Sequence, residues 1–261
     1  MKKKHILLTN DDGVRAPGIL AMAVALRRVP DFEVTVLAPD TNWSASGHKK
    51  TMNKPLRIKK VHMADGSLAY CSDGAPSDCV SLGLMGAMDM AFDFVVSGIN
   101  NNANIGLDVS YSGTVAAAME AAIQGKPGFA VSLDAYEYND GNLDYEDAAK
   151  VATDIIVKLL DRPIHNNKMP IWNINLPYLP PNGYQEIQFT RLGTRYYHDT
   201  LLKREDPYGK PYYWIAGKAP SGLEEEFSDY GALKAGHISV TPLHMDMTDH
   251  DKLKNFGTHL T

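Results

Sequence analysis

The sequence predicts an α/β fold, a Rossmann-like, largely parallel sheet with flanking helices. Through the first two thirds of the chain, short apolar runs alternate with stretches of helical periodicity, as strands joined by crossover helices do. The runs are apolar throughout rather than every second residue, which suits strands covered on both faces. Three of them are followed by polar loops, and an open parallel sheet binds its ligands beyond the carboxyl ends of its strands.

Taken in order, the strands fall at Ile6–Leu8, Val34–Ala38, Phe94–Ser97, Phe129–Ser132 and Ile171–Leu176. Helices are expected at Gly18–Arg28 and Asp78–Met88. A third starts near Ser112, runs through Val115, Met119 and Ala122, and stops at Gly125 before Pro127, in keeping with capping chemistry. The clearest spans Asp144 to Leu160, where Ala148, Val151, Ala152, Ile155, Ile156 and Leu159 recur at helical spacing and Asp144 can cap the first turn. After Pro177 the texture changes. Pro180 and Pro181 break the pattern, and Gln188–Arg195 and Tyr212–Ala216 read as the two arms of a hairpin around the turn Asp206-Pro207-Tyr208-Gly209. Its aromatic density, with Tyr196, Tyr197, Tyr208, Tyr212, Tyr213 and Trp214, exceeds what a solvated hairpin needs and fits either a subunit interface or an intramolecular cluster. Residues 237–241 form a further strand, and the tail from Thr248 a short helix or an arm. We read one domain over 1–261, with a core to about residue 180 and the hairpin, final strand and C-terminal arm over about 186–261.

Composition narrows the function. With 261 residues, 44% apolar and 22% charged, the chain can bury a sizeable core. Twenty-six basic against 31 acidic residues, a formal charge of -5, argue against a stable nucleic-acid complex and leave small anionic substrates open. No apolar run reaches the roughly 18 residues of a membrane helix. The opening MKKKH is followed by only Ile6, Leu7 and Leu8, short of a secretory signal. Cys71 and Cys79 make neither a disulfide framework nor a zinc set, so a cytoplasmic protein with reduced thiols is expected, Cys79 facing the core. The nine histidines show no metal-ligand spacing, which leaves His48 and His244 as surface or supporting residues. No Gly-x-Gly-x-x-Gly follows the first strand and no Walker motif occurs, so the dinucleotide and P-loop fingerprints are missing.

The chemistry gathers in the loops Thr9–Gly13, Pro39–Ser44 and Gly98–Asn102, all rich in oxygen-bearing side chains. Asp11 and Asp12 at a strand end repel one another unless protons or a cation neutralise them. Carboxylate, hydroxyl and amide oxygens without histidine or thiolate suit a hard ion, Mg²⁺ or Mn²⁺ rather than Zn²⁺. Taken alone, Asn10-Asp11-Asp12-Gly13 also reads as a plain strand-to-helix turn. Ser112-Gly113-Thr114, at a helix start, offers free N–H groups, two hydroxyls and the positive end of the helix dipole to a phosphate group, although Ser112 would cap that helix in any case.

These segments resemble the SurE family of metal-dependent phosphatases over nearly the whole chain: LLTNDDGVRAPGI, APDTNWSASGH, GAPSDCV, VVSGINNNANIG, YSGTVAAAMEA, INLP and ISVTPLH, in this order. The resemblance implies a 5'-nucleotidase, a phosphoric monoester hydrolase that releases phosphate from nucleoside 5'- and 3'-monophosphates. It also implies one divalent ion per subunit and a protruding hairpin and C-terminal arm that build a homodimer or homotetramer. By position, the family's metal ligands fall on Asp11, Asp12, Ser44 and Asn100, and its phosphate contacts on Asn104, Ser112, Gly113 and Thr114. One position departs. The family's loop reads Asn-x-Gly-x-Asn, whereas Asn100-Asn101-Asn102-Ala103-Asn104 places Asn102 at the glycine, a residue suited to the left-handed backbone region. The expected reaction is attack by an activated water, with Asp11 and Asp12 as catalytic residues. An aspartyl-phosphate route through Asp11 and a non-catalytic nucleotide-binding module are the rivals.

Overall fold

A computed structural model describes residues 3–135, 138, 143–163, 168–178 and 183–256. In strand β1 (Lys4–Thr9), Ile6 and Leu8 pack on one face of the sheet and Leu7 on the other, so both faces are covered. The first face carries α1 (Pro17–Arg27) and α4 (Glu146–Leu160), which bring Ile19, Met22, Leu26, Ile155 and Ile156 into one cluster with Ile6 and Leu8. The second carries α2 (Pro76–Leu84) and α3 (Gly113–Ile123), where Cys79, Val80, Ala117 and Ala121 meet Leu7. The alanines of α3 let it lie close to the sheet. At Gly128 an added Cβ would sit 2.1 Å from the Ala118 carbonyl oxygen.

The other strands are β2 (Phe32–Pro39), β3 (Ile58–His62), β4 (Leu68–Ser72), β5 (Phe94–Asn100), β6 (Gly128–Asp134), β7 (Ile171–Pro177), β8 (Ile187–Phe189), β9 (Arg195–Glu205), β10 (Pro211–Gly222) and β11 (Ile238–Leu243), with short helices α5 (Asp229–Lys234) and α6 (His250–Phe256). Among the described residues, nine strands form a sheet in the order β3-β4-β2-β1-β5-β6-β7-β11-β8, and β9 pairs with β10 in a separate hairpin. The main sheet is parallel except for the β3/β4 and β7/β11 pairs. From β1 the chain crosses through α1 to β2 on one side, while β5 lies on the other. The loops leaving β1 and β5 therefore diverge and open a crevice between their carboxyl ends.

The five expected core strands are β1, β2, β5, β6 and β7, each longer than its apolar run. The expected helices appear as α1 to α4, and the strand near 237–241 is β11. Tyr145 rather than Asp144 is the N-cap of α4, although Asp144 Oδ1, one residue further out, accepts the Glu146 N–H at 2.9 Å. The helix expected over Asp78–Met88 starts earlier, with Pro76 as its first residue, and stops at Leu84 ahead of Gly86 at φ +92°. The β3/β4 pair is an addition. Its Lys59 and Lys60 face solvent at the sheet edge, so the stretch carries little apolar signal.

The hairpin needs a correction. Gln188–Arg195 is not one of its arms: β8 joins the main sheet parallel to β11, and the first arm is β9, beginning at Arg195. Gly193 separates the two pieces and packs so closely on Asp229 that a Cβ would lie 2.9 Å from its carboxylate. The turn itself is as expected, Asp206 accepting the Gly209 N–H and donating its own to the Lys210 carbonyl, each at 2.9 Å. The tail from Thr248 contains α6. Pro180 and Pro181 lie outside the described residues.

Candidate active site

Between β1 and α1 the chain turns through Asn10-Asp11-Asp12-Gly13. The Asn10 side chain closes the turn from both ends, its Oδ1 accepting the Gly13 N–H at 3.1 Å and its Nδ2 donating to the Gly13 carbonyl at 3.0 Å. Gly13 sits at φ +99°, a conformation glycine adopts without strain. The turn is stitched to the loop after β2, because the Asp11 carbonyl accepts the Trp43 N–H at 2.7 Å. Trp43 is followed by Ser44, and Ala45 at φ 56° turns the chain again.

Helix α3 approaches from the other side. Ser112 is its N-cap, accepting the Val115 N–H at 3.0 Å, and the Thr114 hydroxyl donates to Asp11 Oδ1 at 2.6 Å. Gly113 is small for a reason: a Cβ there would meet the Asp11 Cβ at 2.8 Å and its Oδ2 at 3.0 Å. Asp11, Ser44, Asn100, Asn104 and Ser112 line a common hollow of about 190 Å³, joined by Asp108 and Tyr111. Asp12 stands beside Asp11, its Oδ1 accepting from Asn42 Nδ2 at 3.3 Å. Gly113 and Thr114 support Asp11 rather than line that hollow.

The asparagine loop after β5 is held from beneath. The Asn104 N–H donates to Asn175 Oδ1 at 2.8 Å, its Nδ2 donates to the Ser132 hydroxyl at 2.8 Å, and its carbonyl accepts from Asn173 Nδ2 at 2.8 Å. Asn100 Nδ2 donates to the Asn102 carbonyl at 2.6 Å. Asn102 does not use the left-handed region, which outside glycine is taken among the described residues by Ala45, Asp89 and Phe227.

The two neighbouring carboxyls are both held above their ordinary range. Burial pushes the Asp11 carboxyl up, against the hydrogen bond from Thr114. Asp12 is pushed up to about 7, by burial first and then by the neighbouring Asp11 charge. No basic side chain among the described residues offsets either carboxylate. Two carboxylates in conflict, with a hydroxyl and amide oxygens around them, fit a hard divalent ion. Among the described residues no group of three or more His, Cys, Asp or Glu is placed to hold a metal ion, so any ion here would depend on hydroxyl and amide oxygens as well as the two carboxylates.

A description of the family known as "Survival protein SurE" matches residues 6–199. The chain belongs to the SurE family. Relatives named "5'-nucleotidase SurE" include that of Herpetosiphon aurantiacus, 46% identical over 254 residues and 97% of each chain. That of Chloroflexus aggregans is 45% identical over 249 residues, 94% of this chain and 95% of the relative. The crystal structure of the SurE protein from Aquifex aeolicus, 40% identical, superposes with a TM-score of 0.79 over 96% of this chain and 97% of that one.

Two supports of this SurE site were not apparent in the sequence. Glu120, on α3, is buried and accepts from His48 Nε2 at 3.0 Å, Lys50 Nζ at 2.6 Å, the Ser81 hydroxyl at 2.7 Å and Gln124 Nε2 at 2.7 Å, which pins the segment after Ser44 to the helix. Burial alone would raise its carboxyl, but these hydrogen bonds hold it well below the usual range. A single glutamate within the alanine run of YSGTVAAAMEA was the available signal. His48 is thus a supporting residue, and exposed His244 lies at the far end of α3 near Gly125. The second is Asp229, fully buried, which accepts the Gly106 and Gly193 N–H groups at 2.8 Å each. Asp108, on the wall of the hollow, is held by hairpin residues, accepting the Tyr197 hydroxyl at 2.5 Å and pairing with Arg195 Nε at 3.2 Å.

Proposed function

We propose that the protein is a divalent-metal-dependent 5'-nucleotidase that hydrolyses nucleoside 5'-monophosphates, and 3'-monophosphates, to nucleoside and phosphate. The observation that carries the reading is the meeting of Asp11 with the start of α3, a carboxylate and a phosphate-type helix terminus brought together from residues a hundred positions apart. The relatives' shared name, "5'-nucleotidase SurE", supports the substrate class.

In this reading Asp11, Asp12, Ser44 and Asn100 hold one Mg²⁺ or Mn²⁺ per subunit, which when bound supplies positive charge against the phosphoryl group and acidifies water. Ser112 and the positive end of the α3 dipole face the phosphate oxygens, Gly113 and Thr114 serve the phosphate by holding Asp11 beside it, and Asn104, fixed by Ser132, Asn173 and Asn175, limits where the phosphate can lie. Asp11 and Asp12 orient the attacking water, and one of the two accepts its proton as a secondary role. Phosphoryl transfer needs mostly such positioning and charge stabilisation.

The hairpin supports assembly into a homodimer or homotetramer, since Trp214 is 62% and Ile215 80% exposed on it. A cytoplasmic setting agrees with two buried, unpaired cysteines. None of the described helices is long and apolar enough to cross a membrane. The test is hydrolysis of AMP and p-nitrophenyl phosphate with and without EDTA. Activity is expected to vanish with chelation and return with Mg²⁺ or Mn²⁺, and Asp11→Asn is expected to abolish turnover while leaving the fold intact. Chelator-resistant hydrolysis, or near-normal turnover in Asp11→Asn with added Mn²⁺, would reject the scheme.

A further inference from the structure

Beside the candidate active site, a wider cleft of about 490 Å³ opens between the loop after β5, the end of β7 and the foot of the hairpin. The two hollows share Asn102 and Asp108, so one ligand can lie across both. Tyr178 and Tyr230 border the wider one, and the Arg195 guanidinium and Lys234 ammonium lie 5.3 and 5.6 Å from the centre of the Tyr230 ring. A volume of this size is that of a small-molecule compartment. Aromatic and guanidinium planes receive flat heterocycles by stacking, without demanding a particular hydrogen-bond pattern.

Asn102 stands at the threshold between the two. Its carbonyl accepts the bond from Asn100 that ties it to the oxygen-rich loop, while its Oδ1 is buried without a hydrogen-bond partner. An amide oxygen left in that state is costly, and a hydroxyl donated by a ligand would satisfy it. Asparagine's terminal torsion is broad, so a modest turn of the amide presents this oxygen to the hollow. A glycine at this position would offer no such group.

We propose, resting on the phosphomonoesterase reading above, that the wide cleft is the compartment for the leaving nucleoside, with its base against Tyr230 and Arg195, and that Asn102 is a specificity residue accepting a hydrogen bond from a sugar hydroxyl. Selectivity for nucleotides over simpler phosphate esters then originates here, and the narrower hollow treats all of them alike.

The experiment compares kcat/KM for AMP with that for glycerol 2-phosphate in the wild type, Asn102→Gly and Tyr230→Leu, the last keeping bulk while removing the flat face. Adenosine is also titrated onto EDTA-treated protein of each kind. The AMP to glycerol 2-phosphate ratio is expected to fall about tenfold in Tyr230→Leu and about fivefold in Asn102→Gly, chiefly through KM for AMP. Adenosine affinity should weaken by similar factors. An unchanged ratio in both variants, or no binding of adenosine to the wild type, would overturn the compartment. Adenosine binding that is lost in the variants, in a protein that hydrolyses neither ester, would sink the phosphatase reading and leave the compartment standing.

Discussion

Thr114 Oγ1 donates a 2.6 Å hydrogen bond to Asp11 Oδ1 across 103 residues of sequence, and both side chains are buried. This bond fixes which way the carboxylate faces. Thr114→Val keeps the shape and removes the donor, leaving a buried carboxylate oxygen without its partner. A bond to a charged group is worth about 1.5–3 kcal/mol. Turnover of AMP and affinity for Mn²⁺ are expected to drop by about tenfold or more, with the far-ultraviolet circular dichroism unchanged. Wild-type values for both would show that Asp11 needs no such support.

Gly113→Ala places a methyl 2.8 Å from the Asp11 Cβ, so either the carboxylate or the start of α3 must shift. Displacements near 1 Å at a reacting centre cost about 10²-fold. A loss in kcat of that order is expected, measured at saturating AMP and metal, while Gly66→Ala, where an added Cβ meets nothing, affects stability through its positive φ and leaves kcat alone.

The Glu120 cluster predicts how stability follows pH. A carboxyl whose folded pKa lies below its ordinary 4.5 contributes stability that is fully present above that value and is lost as pH falls through and below it. Thermal melting should therefore drop as pH is lowered from about 5 towards 3, by the same linkage. Glu120→Gln should destabilise the protein by about 1–3 kcal/mol at pH 7 and flatten the acid limb, since a neutral amide has no proton to take up. Equal acid slopes in the two proteins would remove Glu120 from the account.

The hairpin's role is open to light scattering. Trp214→Asp with Ile215→Asp introduces charge on the exposed arm of β10 and is expected to shift an associated wild type towards smaller species. A wild type that is monomeric at micromolar concentration would refute assembly through this element.

The parallel core was legible because Ile6–Leu8, Phe94–Ser97 and their counterparts are buried on both faces, and such strands announce themselves as continuous apolar runs. Edge elements were not. Lys59 and Lys60 on β3, and the largely exposed β9, carry no apolar run because solvent rather than packing faces them. At the site, Asp11, Ser44, Asn100 and Ser112 stood out as oxygen-bearing residues after strands and at a helix start, and Asn104 only through the family resemblance. Glu120 and Asp229 did not, because most of their hydrogen bonds reach partners 36 to 123 positions away, a relation that no local pattern encodes.

Asp229 grips the Gly106 amide, two residues past Asn104, and the Gly193 amide, two residues before β9 begins. One buried carboxylate thereby bolts the base of the protruding ribbon to the segment that carries the pocket rim. The foot of the ribbon and one edge of the oxygen-lined hollow are thus tied, through two bonds of 2.8 Å each, to the same carboxylate.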